Sequence, residues 1–404
     1  MMVLRKLVLK TLLLGRFLKL TVLLTLLTML CVLGWTQRRE DPTTHFASRF
    51  PKKSNVAVFQ DTSGKNLNVF SWSEQTSDHQ ERGIWDGQSA LCEPNGSAAS
   101  DPEFSKHSQL IQNFLMHRHC TNFERIIEPH GKCSSSDVFL LIAIKTDARN
   151  LDRRDIIRNT WGMERQIKGF FVKRLFLLGV NPEPSEGSLL NSLLQKESLQ
   201  HGDIIQWNFI DTFFNLTVKQ VLFLDWLKTD CSNVKFIFNV DDDVYVNTEN
   251  AMAFLLHRHQ SQSAKQHLYA GMIIQNVGPI RLKSSKYYIP KQIQESDKYP
   301  PYAAGGGILM SYWTAMQIHY AVPLLPILPI DDVFLAQCLE KQGLKPEHHR
   351  GIHSAGLRAP RKHSSSFHPC YYREMLLIHR LRPYQNMIMW NAVHDPNLKC
   401  IDFV

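Results

Sequence analysis

The chain has 404 residues, and 46 Lys and Arg against 37 Asp and Glu leave a net charge of +9. With 44% hydrophobic and 21% charged residues it is neither disordered nor low-complexity, and no fixed-period repeat supports a solenoid or propeller. The basic excess does not indicate nucleic acid, because Arg5, Lys6, Lys10, Arg16 and Lys19 cluster before residue 20, a position that points to a membrane surface.

From Leu20 to Trp35 no residue is charged. Arg38 and Arg39 follow, offset by Glu40 and Asp41. This charge step predicts a cytoplasmic tail at 1–19 and a transmembrane signal-anchor at 20–35, with the rest luminal. A cleaved signal peptide is the alternative, but its charged segment would be unusually long and no A-x-A-like site follows Trp35. Cys31 falls within the anchor. Cys92, Cys120, Cys133, Cys231, Cys338, Cys370 and Cys400 contain no C-x-x-C pair, so a zinc site is not indicated. In an oxidising lumen several should pair, in a connectivity the sequence leaves open, with at least one left over. Asn95-Gly-Ser97 and Asn215-Leu-Thr217 are glycosylation sequons.

Residues 36–118 read as a polar luminal stem, with local order around Leu110–Met116. Residues 119–404 form the expected catalytic domain. Val138–Ile144, Leu175–Val180, Ile204–Ile210 and Phe236–Val240 are near-continuous apolar runs, the pattern of strands buried on both faces of a parallel sheet. Helical patterns over Asp152–Trp161, Leu189–Leu199 and Phe213–Lys228 lie between them. This alternation predicts an α/β fold with ligands at the carboxyl ends of the strands.

One strand end carries chemistry. The run Phe236–Val240 leads directly into Asp241-Asp242-Asp243. Three adjacent carboxylates repel one another, and a hard divalent cation relieves them. An EF-hand does not fit, since Tyr245 stands at a ligand position; a solvated acidic turn is the bland alternative. Asp331-Asp332 opens an apparent helix ending near Gly343, and Asp331 reads as its N-cap. Gly305-Gly306-Gly307 suits a loop whose backbone approaches a ligand closely, but it is neither a dinucleotide-binding nor a Walker motif.

Together these segments resemble the Golgi β1,3-glycosyltransferases of the galactosyltransferase/N-acetylglucosaminyltransferase type (glycosyltransferase family 31) from about Cys120 onward. The similarity is carried in order by Ala143-Ile-Lys-Thr146, Arg153-Arg-Asp-Ile-Ile-Arg-Asn-Thr-Trp-Gly162, Gly202-Asp-Ile-Ile205, Phe209-Ile-Asp-Thr-Phe-Phe-Asn-Leu-Thr-Val-Lys219, Val240-Asp-Asp-Asp-Val244, Lys286-Tyr-Tyr-Ile-Pro290, Tyr299-Pro-Pro-Tyr302 and Ile330-Asp-Asp-Val333. The last of these, with the tail Pro369–His379, resembles the N-acetyllactosaminide β-1,3-N-acetylglucosaminyltransferase branch. Ala304 departs from it, standing where that branch usually has Gly, and leaves the subtype open.

The resemblance implies a GT-A-type, Rossmann-like nucleotide-sugar-binding fold, UDP-GlcNAc as donor, Mn²⁺ as cofactor and inversion at the anomeric carbon. It implies Asp243 and His379 as metal ligands, and Lys145, Arg154, Arg158, Lys219, Asp241, Asp242, Gly305 and Gly306 as donor-binding residues. Asp211 is expected to order its loop. Asp332 is expected to be the general base, taking a proton from the 3-hydroxyl of a terminal galactose on a glycoprotein or glycolipid. Tyr287, Tyr288 and Tyr302 are candidates to hold sugar faces. The implied setting is the Golgi membrane, as a single-pass type II protein, with homo- or hetero-oligomers with related transferases left open. The nearest rival is a β-1,3-galactosyltransferase using UDP-Gal. A catalytically silent membrane partner or lectin is a rival of another class, less favoured because both acidic motifs are intact.

Overall fold

A computed structural model describes residues 92–134, 137–261, 266–354 and 366–400. The expected tail and anchor, Cys31 and the stem up to residue 91 lie outside the described residues. Among the described residues no helix is long and apolar enough to cross a membrane.

The strands are β1 (Arg125–Ile127), β2 (Val138–Lys145), β3 (Arg165–Ile167), β4 (Phe170–Val180), β5 (Ile204–Ile210), β6 (Phe236–Asp241), β7 (Val244–Val246), β8 (Tyr269–Gly271), β9 (Ile273–Ile274), β10 (Tyr302–Ala303), β11 (Gly307–Ser311), β12 (Glu347–His348), β13 (Ile352–His353) and β14 (Leu377–His379). The helices are α1 (Gln109–His117), α2 (Leu151–Asn159), α3 (Pro184–His201), α4 (Leu216–Asp230), α5 (Thr248–Ser261), α6 (Tyr312–Ala321), α7 (Asp331–Lys341), α8 (Pro369–Glu374) and α9 (Pro383–Val393).

The main sheet runs β1-β5-β4-β2-β6-β11-β8-β12, with β3 beside β4. Its centre, β5-β4-β2-β6, is parallel. Branched and aromatic side chains fill both faces of these strands. In β6, Ile237 enters the core on one face, while Phe236, Phe238 and Val240 enter the core on the other. Helices α1, α4, α6 and α7 cover the first face, and α2, α3 and α5 the second. Helix α4 is buried without a break from Thr217 to Leu224, as expected of a helix apolar nearly all round. Gly202, in the left-handed region at φ +58°, stops α3 and turns the chain into β5. A sequence pattern of alternating strands and helices does not foretell β11, which runs antiparallel to β6.

After the edge strand β1, the chain runs through the middle of the sheet as β2, moves outward through β4 and β5, then returns to the other side of β2 as β6. The carboxyl ends of β2 and β6 thus flank a topological switch point, where open α/β sheets bind ligands.

The folded unit reaches further toward the N-terminus than residue 119. Ile111, Phe114 and Leu115 of α1 are buried in the core, and Phe114 meets Phe214 edge-on at 5.8 Å. Cys92 is disulfide-bonded to Cys120. The expected stem boundary at 118 therefore falls inside one packed body. Cys133–Cys231 and Cys370–Cys400 are also bonded, and Cys338 is free and buried. Of the two sequons, Asn95 is exposed. Asn215 is only 2% exposed and Thr217 is fully buried, so the folded domain presents no acceptor amide there.

Candidate active site

Register builds the site. Lys145, the last residue of β2, lies directly beside Asp241, the last of β6. Its Nζ is 3.1 Å from Asp241 Oδ1 and 2.8 Å from Asp331 Oδ2. Burial opposes the charge, but Asp241 and Asp331 more than offset it and hold the ammonium above its ordinary pKa. Lys145 thus ties the strand-end carboxylates to the first turn of α7.

The three acids have separate environments. Asp242 accepts from Thr146 Oγ1 at 2.6 Å, Asn150 Nδ2 at 2.8 Å and Arg153 at 3.2 Å. Burial nevertheless raises its pKa. Its lone pairs are largely committed to holding the loop after β2. Asp243 faces His379 instead. Strand β7 leaves the acidic turn at once, and β14 pairs with it antiparallel, setting His379 opposite Val244. His379 Nε2 lies 2.8 Å from Asp243 Oδ1 and 3.7 Å from Asp241 Oδ2. Burial works against the imidazolium, but the two carboxylates prevail and raise its pKa.

Asp241, Asp243 and His379 offer donor atoms all within 4.8 Å of one another. His379 Nδ1 is 2.9 Å from the Ser354 carbonyl. Donation there leaves Nε2, once deprotonated, as a lone pair facing the carboxylates, the orientation a metal-binding imidazole needs. Two carboxylates and one imidazole fit a divalent cation such as Mn²⁺. Asp241, expected only as a donor contact, thus stands among the residues that could hold such an ion.

Gly306 makes this approach possible. Its φ is +104°, and a Cβ there would meet His379 Nδ1 at 2.8 Å. Gly305 donates its N–H to Asp332 Oδ2 at 2.9 Å, and Val333 donates to Asp332 Oδ1 at 2.9 Å. The glycine loop therefore links the imidazole to the second acidic pair.

At that pair the expected cap is corrected. The N-cap of α7 is Ile330, and Asp331 is the first helical residue. Its carboxylate turns to Lys145, which outcompetes a backbone N–H for a charged partner. Asp332 is also not an ordinary ionised acid. Burial first, then the adjacent Asp331 carboxylate, push it up to about 7, overriding the helix N-terminus, which favours the charged form.

Two adjoining cavities share Lys145, Asp241, Tyr287, His379 and Arg380. One, of about 760 Å³, is polar and holds Asp242, Asp243, Arg149, Arg153 and Lys286. The other, of about 690 Å³, has an apolar wall including Met272, Ile274 and Tyr302 and holds Asp331 and Asp332. Ala304 lines the second cavity, as do Tyr287 and Tyr302; Tyr288 instead packs against the core.

Two expected donor contacts are corrected. Arg154 and Arg158 do not line either cavity; they are 1% and 6% exposed. Arg154 makes a two-pronged bond to Glu197 and donates to the Asp147 and Ala148 carbonyls. Arg158 grips Asp203 through two nitrogens. Arg154 thus ties down the loop after β2, and Arg158 joins α2 to the start of β5. Lys219 is 2% exposed, pairs with Asp211 at 2.8 Å and donates to the Thr146 carbonyl at 2.9 Å. Asp211 in turn accepts from the Gly179 N–H at 2.9 Å, ordering the loop as expected. Besides Lys145 and Lys219, the cations lining the polar cavity are Arg149, Arg153, Lys286 and Arg380. Arg153 and Lys286 open two of the matching segments without having been assigned to the donor, and Arg149 and Arg380 fall in none of them, although Arg380 carries a structural mark, a left-handed φ of +71°.

Comparison with known proteins agrees with this arrangement. Residues 152–350 match the Galactosyltransferase family model. The chain is 47% identical over 312 residues to the human N-acetyllactosaminide beta-1,3-N-acetylglucosaminyltransferase 3, covering 77% of this chain and 82% of that one. It is 42% identical to the human acetylgalactosaminyl-O-glycosyl-glycoprotein beta-1,3-N-acetylglucosaminyltransferase, covering 76% and 80%. It is 41% identical to the Rattus norvegicus UDP-GlcNAc:betaGal beta-1,3-N-acetylglucosaminyltransferase 7, covering 78% and 79%.

Proposed function

We propose a reaction from a fixed premise: the chain belongs to the β-1,3-glycosyltransferase family of the galactosyltransferase type, among β-1,3-N-acetylglucosaminyltransferases. It transfers N-acetylglucosamine from UDP-GlcNAc to the 3-hydroxyl of a terminal β-galactose, with inversion, on a GT-A-type fold. The observation that carries this reading is the placement of Asp332 across one continuous cleft from Asp241, Asp243 and His379, with Lys145 between them.

The polar cavity suits the nucleotide diphosphate. Arg149, Arg153, Lys286 and Arg380 supply positive charge around it. A divalent cation held by Asp241, Asp243 and His379 would neutralise charge developing on the leaving diphosphate. Asp242 and Lys219 fix the loop that forms this wall. The apolar cavity suits the acceptor, with Tyr302 and Tyr287 as flat faces for sugar rings. Asp332 removes the acceptor hydroxyl proton as the oxygen attacks the anomeric carbon and UDP departs. A base titrating near 7 matches that task, since about half of it is ionised at neutral pH and it binds a proton readily.

The same reading places the catalytic unit in the Golgi lumen behind an anchor at Leu20–Trp35; three disulfides suit such an oxidising compartment. The test is a donor-by-acceptor panel on the full-length chain in detergent, with Mn²⁺ present or chelated. UDP-GlcNAc with a galactose-terminated acceptor should react, in a Mn²⁺-dependent manner. Preference for UDP-Gal, or for an N-acetylgalactosamine acceptor, would overturn the donor or the acceptor assignment respectively.

A further inference from the structure

Helix α4 lines the cleft with Leu216 and Lys219 and carries a third cavity, of about 700 Å³, toward its other end. From Lys219 to Lys228 the helix advances about 13 Å, so this cavity is separate from the catalytic one. Val221, Val322, Leu325 and Ile327 give it apolar walls, and Arg118, Lys228 and His319 line it.

Its polar groups are under-matched. The Arg118 guanidinium is half-buried and has no ion pair or hydrogen bond among the described residues. Burial lowers its pKa with no offsetting carboxylate. His319 bonds Asp225 at 2.7 Å through Nε2, while its Nδ1 is buried without a partner. Asp225, the cavity's one carboxylate, is thereby engaged. The Lys228 ammonium sits 5.8 Å from the centre of the Tyr320 ring, which is 53% exposed. A guanidinium left unpaired at such a site loses solvation and gains nothing in return, unless an anion completes it.

We propose that this cavity is a binding site for an anionic sugar, one bearing a carboxylate or a sulfate ester, carried on the glycan whose end occupies the cleft. Arg118 takes the oxyanion through its planar fork, Lys228 adds charge, and the apolar walls and Tyr320 receive the sugar ring. The inference rests on the glycan-transfer reading, which the experiment separates from it.

Binding to the full-length chain in detergent, with UDP and Mn²⁺ present, would be measured by calorimetry for three galactose-terminated oligo-N-acetyllactosamine probes: one with a sialic acid on an inner sugar, one with a sulfate ester on an inner sugar, and one neutral. At least one anionic probe should bind more tightly than the neutral one, and which it is assigns the anion. Arg118→Gln should weaken that binding by about tenfold, the loss typical of a hydrogen-bonded charge. Turnover on the neutral acceptor should stay unchanged. Lys228→Gln alters an exposed side chain, so it keeps the test valid if the Arg118 variant fails to fold. Equal affinity for neutral and anionic probes, or anionic binding undiminished in the folded variants, would overturn the proposal. Absence of transfer to any acceptor would instead remove the catalytic reading.

Discussion

Replacing Asp332 by Asn separates catalysis from stability, with opposite signs. Asp332 is held by the Gly305 and Val333 N–H groups, each at 2.9 Å, and its pKa is raised to about 7. A carboxyl raised on folding is most favourable to the native state below its unfolded value, near pH 3.9. That contribution is lost as pH rises through the folded value, so ionisation of Asp332 opposes folding above about pH 7. About three units correspond to an upper limit of about 4 kcal/mol. Asn removes the charge and gives up one N–H acceptor, a loss of about 1 kcal/mol. The variant should therefore melt at or above the wild-type temperature at pH 8 and lose that advantage at pH 5. Turnover should fall by about 10²–10⁴-fold, with UDP–Mn²⁺ affinity unchanged. In the wild type, kcat/KM should climb with pH through about 7 and then level. Differential scanning fluorimetry at the two pH values, calorimetry with UDP and Mn²⁺, and initial rates from pH 5.5 to 8.5 supply the measurements. Near-normal turnover with a lowered melting temperature would show that Asp332 only stabilises the start of α7.

Asp243→Asn should abolish Mn²⁺-dependent UDP binding, read by calorimetry; unchanged affinity in a folded variant would reduce the acidic turn to a structural feature. Gly306→Ala should weaken Mn²⁺ binding, because its Cβ would displace the His379 ring at a backbone angle that disfavours side chains; a titration of intact affinity would refute the close-approach account. Arg158→Met should destabilise the fold by about 1.5–3 kcal/mol in chemical denaturation, since Asp203 loses its two-pronged partner but keeps Arg174, without altering UDP affinity of the folded fraction; a selective loss of UDP affinity would restore Arg158 to the donor site. In sealed microsomes a C-terminal tag should resist protease while an N-terminal tag is cleaved, and the reverse pattern would refute the type II arrangement.

Much of the parallel sheet was legible because a strand buried on both faces must be apolar almost throughout, as Val138–Ile144 is. The acidic strand end was legible for the complementary reason: carboxylates abutting such a run are conspicuous. Charge alone misled at Arg154 and Arg158. Their partners Glu197 and Asp203 lie 43 and 45 residues away, and local pattern carries no trace of pairing at that range. Asp331 was misread likewise, since Lys145 reaches it across 186 residues. Local order around Leu110–Met116 was legible, but the polar composition around it hid that α1 belongs to the folded domain, where Ile111 and Phe114 join the core.

The bond between Cys92 and Cys120 encloses the whole of α1. A protease that nicks the backbone anywhere in 93–119 severs the polypeptide but leaves both fragments joined through sulfur. Release into solution then requires a reductant as well as a cut. Cleavage on the N-terminal side of Cys92 needs none, and it liberates a body with α1 still seated against Phe214. Under the proposed type II arrangement, a single cut that sheds this body with α1 in place therefore lies upstream of residue 92, and non-reducing and reducing gels of protein nicked within 93–119 would report different masses.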